Sequence, residues 1–325
     1  MSTQSTLPPT RHVVVFGSIN MDLVARTPRF ARAGETLIGS SFSTVSGGKG
    51  ANQAVACARL GVSVRMVGRV GQDPFGDTLL EGLRSDGVNV EAVVRIPGSS
   101  GVAVIEVEDS GENHIIVIPG TNGEVGTEDL ELLETALEGA AVLLLQLEVP
   151  LGSVLQAARL AQSHGVPVML DPAPAQDLPP ELYALTDLIT PNASEAASLV
   201  GFVLETEEDV LEAGRELLLK GVREVLIKRG ALGVTWMNAA GTRTLPAFEV
   251  QAVDTVAAGD AFNGGLAAAL AQGFPLEQAL AWGLATGALS VTKSGAQSSL
   301  PSRAEVLELL AMSFQPSAIN DLPLE

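Results

Sequence analysis

The chain has 325 residues and a formal net charge of −19, from 19 Lys and Arg against 38 Asp and Glu. That balance excludes binding along a DNA or RNA backbone, which needs a basic footprint, but not an anionic nucleotide held locally by backbone amides and a metal. Hydrophobic residues make up 46% of the chain, enough for a sizeable core. No apolar run approaches the ~18 residues of a membrane span, and the single cysteine, Cys57, allows no internal disulfide.

In chain order, residues 1–10 are rich in Ser, Thr and Pro and read as a loose tail. They lack the basic start and apolar block of a secretory signal, so a cytoplasmic protein is expected. From Arg11 onward, short apolar or β-branched runs at 13–16, 64–67, 142–147, 166–170, 188–190 and 225–227 alternate with helical patterns such as 51–60, 76–86, 151–164 and 210–220. This alternation predicts βαβ units: an α/β three-layer sandwich with a mainly parallel central sheet, spanning residues 11–312. Two stretches break the rhythm, at about 18–46 and 97–120. The second reads as two strands joined at Ser110–Gly111. Together they predict a small β-sheet, either a lid over a ligand or an ordinary edge hairpin. Residues 313–325 read as a loose C-terminal tail.

Ligands of open parallel sheets bind beyond the carboxyl ends of the strands. Those ends lead here to Asn20 and Asp22, to Glu148, to Asp171, to Asn192 and Glu195, and to Lys228 and Gly230. Each alone is compatible with a cap or a turn; five on one edge predict a shared polar cleft.

Three segments carry chemistry. In AVDTVAAGDAFNGG (252–265), an extended stretch ends at Asp254, the small residues Ala257, Ala258 and Gly259 follow, and a helix begins near Asp260. Open amides at a helix N-terminus form an anion site, and a carboxylate at its mouth can take a proton from a hydroxyl. The alternative is that Asp260 merely caps the helix. In GGKGANQ (47–53), Gly50 follows Lys49 where a P-loop requires Ser or Thr. The glycines suit close approach of a sugar to backbone, with Asn52 supplying an amide. Asn192 and Glu195 share one face of a first helical turn, as Mg²⁺ and phosphate binding would need, and as a capping box would also need.

The motifs GSINMD (17–22), GGKGANQAV (47–55), QLEVP (146–150), DPAPA (171–175), TPNASEA (190–196) and DTVAAGDAFNG (254–264) together resemble the ribokinase family, within the phosphofructokinase-B-type superfamily of carbohydrate kinases. The resemblance runs from about residue 12 to 310. It implies ATP-dependent phosphorylation of D-ribose at the 5-hydroxyl. Asn20, Asp22, Gly48, Lys49, Gly50, Asn52 and Glu148 would hold the sugar, and Asp260 would be the base. Ala257, Ala258 and Gly259 would form the anion hole. Asn192, Glu195, Lys228, Gly230 and Gly233 would serve the nucleotide and its Mg²⁺. A K⁺ site is implied at Asp254, Val256, Ser290, Lys293, Gly295 and Ser299, mostly through backbone carbonyls. Lids of this family often pair between subunits, which implies a homodimer. The chain departs from the family pattern at Ala257, Lys228 and Leu284.

The rival readings are a related kinase acting on deoxyribose, fructose or adenosine, and a non-catalytic sugar-binding protein. Only 4% of the residues are aromatic, too few to suggest the apolar walls of a nucleoside site. Asp260 and Gly259, which a non-catalytic protein is free to lose, are both present.

Overall fold

The computed structural model describes residues 11–313; the tails expected at 1–10 and 313–325 lie outside these residues, except for Ser313. The first half contains β1 (His12–Phe16), β2 (Asn20–Thr27), β3 (Ser41–Gly47), α1 (Lys49–Arg59), β4 (Val64–Gly71), α2 (Pro74–Ser85), β5 (Asn89–Ile96), β6 (Gly101–Glu108), β7 (Asn113–Ile118), α3 (Thr127–Leu137), β8 (Ala140–Leu145) and α4 (Leu151–Ser163). The second contains β9 (Val168–Leu170), α5 (Pro180–Leu185), β10 (Leu188–Ile189), α6 (Ala193–Val200), α7 (Glu207–Leu219), β11 (Glu224–Lys228), β12 (Val234–Asn238), β13 (Gly241–Leu245), α8 (Ala258–Ala271), α9 (Leu276–Ser290) and α10 (Arg303–Ser313).

Strand side chains alternate faces, so an unbroken apolar run must be packed on both sides. In β1, Val13 and Val15 enter one core while Val14 and Phe16 enter the other. In β8, Val142 and Leu144 likewise oppose Leu143 and Leu145. Helices α1, α2, α8, α9 and α10 cover the first face, and α3 to α7 cover the second. The result is the three-layer sandwich expected from the sequence.

The central sheet runs in the order β13-β12-β11-β10-β9-β8-β1-β4-β5. It is parallel except for β12, which is antiparallel to both neighbours. The β12–β13 hairpin extends an edge the sequence pattern left blank. From β1 the chain winds outward through β4 and β5, then returns to add β8 and the later strands on the other side. The direction reverses between β1 and β8, the switch point beyond which ligands of such sheets bind.

A second sheet, in the order β3-β2-β6-β7, is drawn from the two stretches that break the βαβ rhythm. Its inner pair, β2 and β6, is parallel, and its outer strands are antiparallel. It leaves the main body at Asn20 and Gly101 and returns at Gly47 and Ile118. Its stem is held by Asp73, the N-cap of α2, which accepts from the backbone N–H of Gly76 and Ser100 and from the Ser100 hydroxyl. Residues 246–257 form no strand; the amides of Val253 and Asp254 donate to the carbonyl of Val291, at the end of α9, at 2.7 and 3.2 Å.

Candidate active site

Close backbone crossings build one side of the cleft. A Cβ on Gly47 would lie 2.2 Å from the Asp22 carboxylate, and one on Gly50 2.8 Å from the Ser18 backbone. Gly48 has φ of 88°, and a Cβ there would meet the Asn20 nitrogen at 2.6 Å. Glycine is therefore required at 47, 48 and 50 by protein neighbours, rather than by a sugar alone as the sequence suggested. This packing brings the start of α1 against the strand that carries Asn20 and Asp22. Glu148, just past β8, accepts from the Ser18 hydroxyl and from the Lys49 amide, at 3.1 Å in the latter case.

Asp260 closes the floor. It lies in the first turn of α8, whose N-cap position is Ala257, and Ala257 makes no side-chain cap bond. Both Asp260 oxygens point at α1: Asn52 Nδ2 donates to Oδ2 at 2.9 Å, and Gln53 Nε2 donates to Oδ1 at 3.2 Å. The capping alternative for Asp260 thus does not describe it. Ala257 adopts the left-handed conformation, with φ of 58°, the only described residue other than glycine to do so. The Ala258 amide donates to the Thr255 carbonyl at 3.2 Å. Among the described residues, the amides of Gly259 and Asp260 donate to no protein acceptor, as the first turn of a helix leaves them. Among the described residues the Ala257 amide likewise donates to none, so within the 257–259 set expected from the sequence only the Ala258 amide is engaged.

Asn192 and Glu195 form a full capping box at α6. Asn192 Oδ1 accepts from the Glu195 N–H and Glu195 Oε2 accepts from the Asn192 N–H, each at 2.8 Å. The Lys228 amide donates to the Pro191 carbonyl at 2.8 Å, joining this turn to the end of β11. Lys228 Nζ donates to Asp171 Oδ1 at 3.0 Å and lies 3.2 Å from where a Cβ on Gly259 would stand. Asn192, Lys228, Arg229, Gly230 and Leu204 line a cavity of about 410 Å³ beside this turn. Gly233 has a packing role, since a Cβ there would lie 2.0 Å from the Leu245 carbonyl.

Charges crowd the cleft. Burial pushes the Asp22 carboxyl up to about 7, with Glu148 and Asp260 adding to the shift. Burial also raises Asp260; Lys49 opposes the shift and Asp171 reinforces it. Burial works against the Lys49 ammonium, but Asp260, Asp171, Glu148 and Glu195 outweigh it and hold the group above its ordinary range. Glu195 is raised by burial, against the pull of Lys228. A carboxyl held above its usual range, beside open helix-terminal amides, suits proton abstraction from a hydroxyl next to an anion site.

A family model described as pfkB family carbohydrate kinase matches residues 10–303. The chain belongs to the pfkB family. It is 42% identical over 299 residues to the ribokinase of Haemophilus influenzae, covering 92% of this chain and 98% of that protein. It is 38% identical over 302 residues to the deoxyribokinase of Salmonella typhi, covering 92% and 99%. Its structure superposes on Arabidopsis thaliana ribokinase complexed with ribose and ATP with a TM-score of 0.86 at 33% identity, covering 93% and 99%.

In this pfkB family chain the residues expected to hold a sugar converge from β2, α1, the end of β8 and α8. The loops expected to bind K⁺ are tied together by Asp254, whose carboxylate accepts from the amides of Val256 at 3.0 Å and Gly295 at 2.9 Å. The Ser290 and Ser299 hydroxyls donate to the carbonyls of Gly287 and Ala296, and the Lys293 ammonium pairs with Glu305 at 2.6 Å. The donor set left to a monovalent ion is carbonyl oxygen, which fits K⁺. For Mg²⁺, Glu195 supplies a carboxylate on the side of Lys228, the hard oxygen that ion takes alongside waters and phosphates. Sequence reasoning placed Asp171 only among the polar strand ends and left Gln53 without a role, although both stand in quoted motifs. Asn122, which bonds Asn20, stands in no motif at all.

Proposed function

We propose that the chain transfers the γ-phosphoryl group of MgATP to the 5-hydroxyl of D-ribose. The observation that carries this reading is the Asp260 carboxylate, held by Asn52 and Gln53 and set in the same turn as the open amides of Gly259 and Asp260. Asn20, Asp22, Gly48, Lys49, Gly50, Asn52 and Glu148 hold the sugar hydroxyls. Asp260 takes the proton of the 5-hydroxyl as its oxygen bonds to the γ-phosphorus. The bond from that phosphorus to the β-γ bridging oxygen breaks, and ADP leaves with the electron pair. The anion hole at 257–259, extended to the Asp260 amide, stabilises charge on the transferred group, so most of the acceleration is positioning and electrostatics.

On the nucleotide side, Asn192, Glu195, Lys228, Gly230 and Gly233 shape the turn that receives ATP. Glu195 and Asn192 would hold the hydration shell of Mg²⁺, which would offset the charge of the phosphates. K⁺ would be held by carbonyls at Asp254, Val256, Ser290, Lys293, Gly295 and Ser299, behind the anion hole. The small sheet serves as the lid, and its exposed apolar strand β7 supports pairing of two copies into a homodimer. Cytoplasmic residence belongs to the same proposal, since ATP is there and the one cysteine is a buried free thiol.

Deoxyribose is the second reading, favoured by the 38% identity to a deoxyribokinase. A coupled assay over ribose, deoxyribose, fructose and adenosine, with and without K⁺, decides between them. Ribose is expected to give the highest kcat/KM, with activity falling when K⁺ is replaced by a large organic cation. Absence of ATP-dependent turnover on every sugar would sink the proposal.

A further inference from the structure

The polar chain behind the reacting groups has no assigned part in catalysis. Gln53 and Gln146 are fully buried, and Asp171 and Asp260 are 2% and 4% exposed. Gln146 Nε2 donates to Gln53 Oε1 at 2.8 Å, which leaves the two N–H groups of Gln53 for the two carboxylates. One goes to Asp171 Oδ2 at 3.0 Å and the other to Asp260 Oδ1 at 3.2 Å. The far oxygen of Asp171 accepts from Lys228 at 3.0 Å. A continuous path thus runs from the ammonium over Gly259 to the carboxylate proposed as the base.

Two buried carboxylates bridged by one amide repel each other, and such a charge persists only when paired. Lys228 supplies that pairing. Its ammonium also stands over the loop where a transferred phosphoryl group would lie. A phosphate there carries more charge than Asp171 and competes for the same three N–H donors. We propose that Lys228 is a shared cation, passed from Asp171 to the terminal phosphates when nucleotide binds, and that Asp171 and Gln53 transmit the change to Asp260 as positioning residues. The inference rests on the preceding reading that phosphates occupy the loop at 257–259. Once Lys228 turns away, the charge on Asp171 acts on Asp260 unscreened and favours its protonated form. Base strength then rises only when the phosphoryl donor is in place. The other charged groups facing Asp260 and its neighbours, Lys49, Asp22, Glu148 and Glu195, remain on the sugar and Mg²⁺ sides and do not change partners.

The test separates charge pairing from phosphate contact. K228M alone leaves Asp171 buried and unpaired; the double variant K228M/D171N removes both charges and keeps the Gln53 acceptor. The dissociation constant of a non-hydrolysable ATP analogue, which carries the γ-phosphoryl group, is measured by calorimetry on the wild type, D171N and the double variant. The expected result is binding at least tenfold weaker in the double variant, the loss of one charge-assisted bond. D171N alone should bind the analogue at least as well as wild type, since its Lys228 is free for phosphate. If the double variant binds the analogue like wild type, Lys228 only neutralises Asp171 and the inference falls. For the link to Asp260, the acidic limb of the kcat–pH profile should move to lower pH in D171N; an unmoved limb overturns that half. A wild-type enzyme without ATP-dependent phosphorylation sinks the kinase reading itself. An active wild type with intact binding of the ATP analogue in the double variant sinks only this inference.

Discussion

Asn122 fixes the side chain of Asn20: its Nδ2 donates to Asn20 Oδ1 at 2.7 Å and to the Ile19 carbonyl at 3.1 Å, while its Oδ1 accepts from the Ile19 amide at 3.0 Å. With that oxygen occupied, Asn20 presents its own N–H₂ to the cleft as a donor. A Cβ on Gly101 would lie 2.1 Å from Asn122 Nδ2, so the stem of the small sheet clamps the pair. Asn122→Asp keeps the acceptor for Ile19 and removes the donor that orients Asn20. The expected outcome is a KM for ribose raised about tenfold with kcat changed little, the effect of one misdirected hydrogen bond. Steady-state kinetics decide it: an equal fall in kcat at unchanged KM would mean that Asn122 acts elsewhere.

Asp260→Ala should lower kcat by ~10² or more, the usual share of a general base, and leave ribose binding largely intact. Binding by calorimetry and turnover by coupled assay are read on the same preparation. Near-normal kcat in this variant removes Asp260 from the role of base.

Much of the frame was legible because it depends on local pattern. The apolar run at 13–16 and the run at 142–147 could be buried only in a sheet covered on both faces, and the polar residues after each strand mark the edge where the cleft opens. The hairpin of β12 and β13 was not legible, since its strands take their place from packing on β11 rather than from a strong alternation of their own. At the site, Asp260 and Lys49 stand in dense motifs. Gln53 joins Asp171 and Asp260 across 118 and 207 positions of sequence, and no local spacing announces such a bond. Gly47, Gly48 and Gly50 were legible as sites of close approach, but what approaches them, the Asp22 carboxylate and the backbone of Asn20 and Ser18, belongs to the tertiary crossing. Lys293 shows the same limit: its ammonium is drawn to Glu305 on α10, which leaves its side chain out of the proposed ion site.

Ala257 holds a left-handed backbone that costs a residue with a Cβ roughly 1–2 kcal/mol. Glycine relieves that strain but adds freedom to the unfolded chain. Ala257→Gly should therefore stabilise the protein by about 0.5 kcal/mol with activity retained. Ala257→Val, β-branched in the same conformation, should destabilise it by about 2 kcal/mol and weaken nucleotide binding. Thermal unfolding of the two variants reads the difference. Equal melting temperatures would show that the loop relaxes out of this conformation in solution.

Asp22 carries a pH dependence whose sign follows from its burial. Its carboxyl titrates at about 7 in the fold against an ordinary 3.8, so between those values the folded protein keeps a proton the unfolded chain has released. The associated stability is complete below the unfolded value and lost as pH rises towards 7. Asp22→Asn removes this loss. The variant should gain about 4 kcal/mol on the wild type between pH 4 and pH 8. Ribose binding should release a proton near pH 6.5, because the ionised carboxylate is the better acceptor for sugar hydroxyls. Parallel stability curves for the two proteins across that range would place the titration on another group.

The outer strand of the small sheet bears on assembly. β7 is an edge strand, exposed along its whole length, and Ile116 is 63% exposed among Ile115, Val117 and Ile118. Within β7, His114 is stacked by Phe30, from the β2–β3 connection, with ring centroids 3.6 Å apart. An uncovered apolar edge invites association, and a second copy of the same sheet offers it a matching surface. Ile116→Lys places a charge in the middle of that surface. Light scattering should then report a single chain where the wild type gives two. KM for ribose should rise severalfold, because a sheet left unbraced covers the sugar less of the time, while kcat at saturating ribose should fall less. A wild type that runs as a single chain at micromolar concentration would refute pairing through β7. A monomeric variant with unchanged KM would leave the pairing and detach it from the work of the lid.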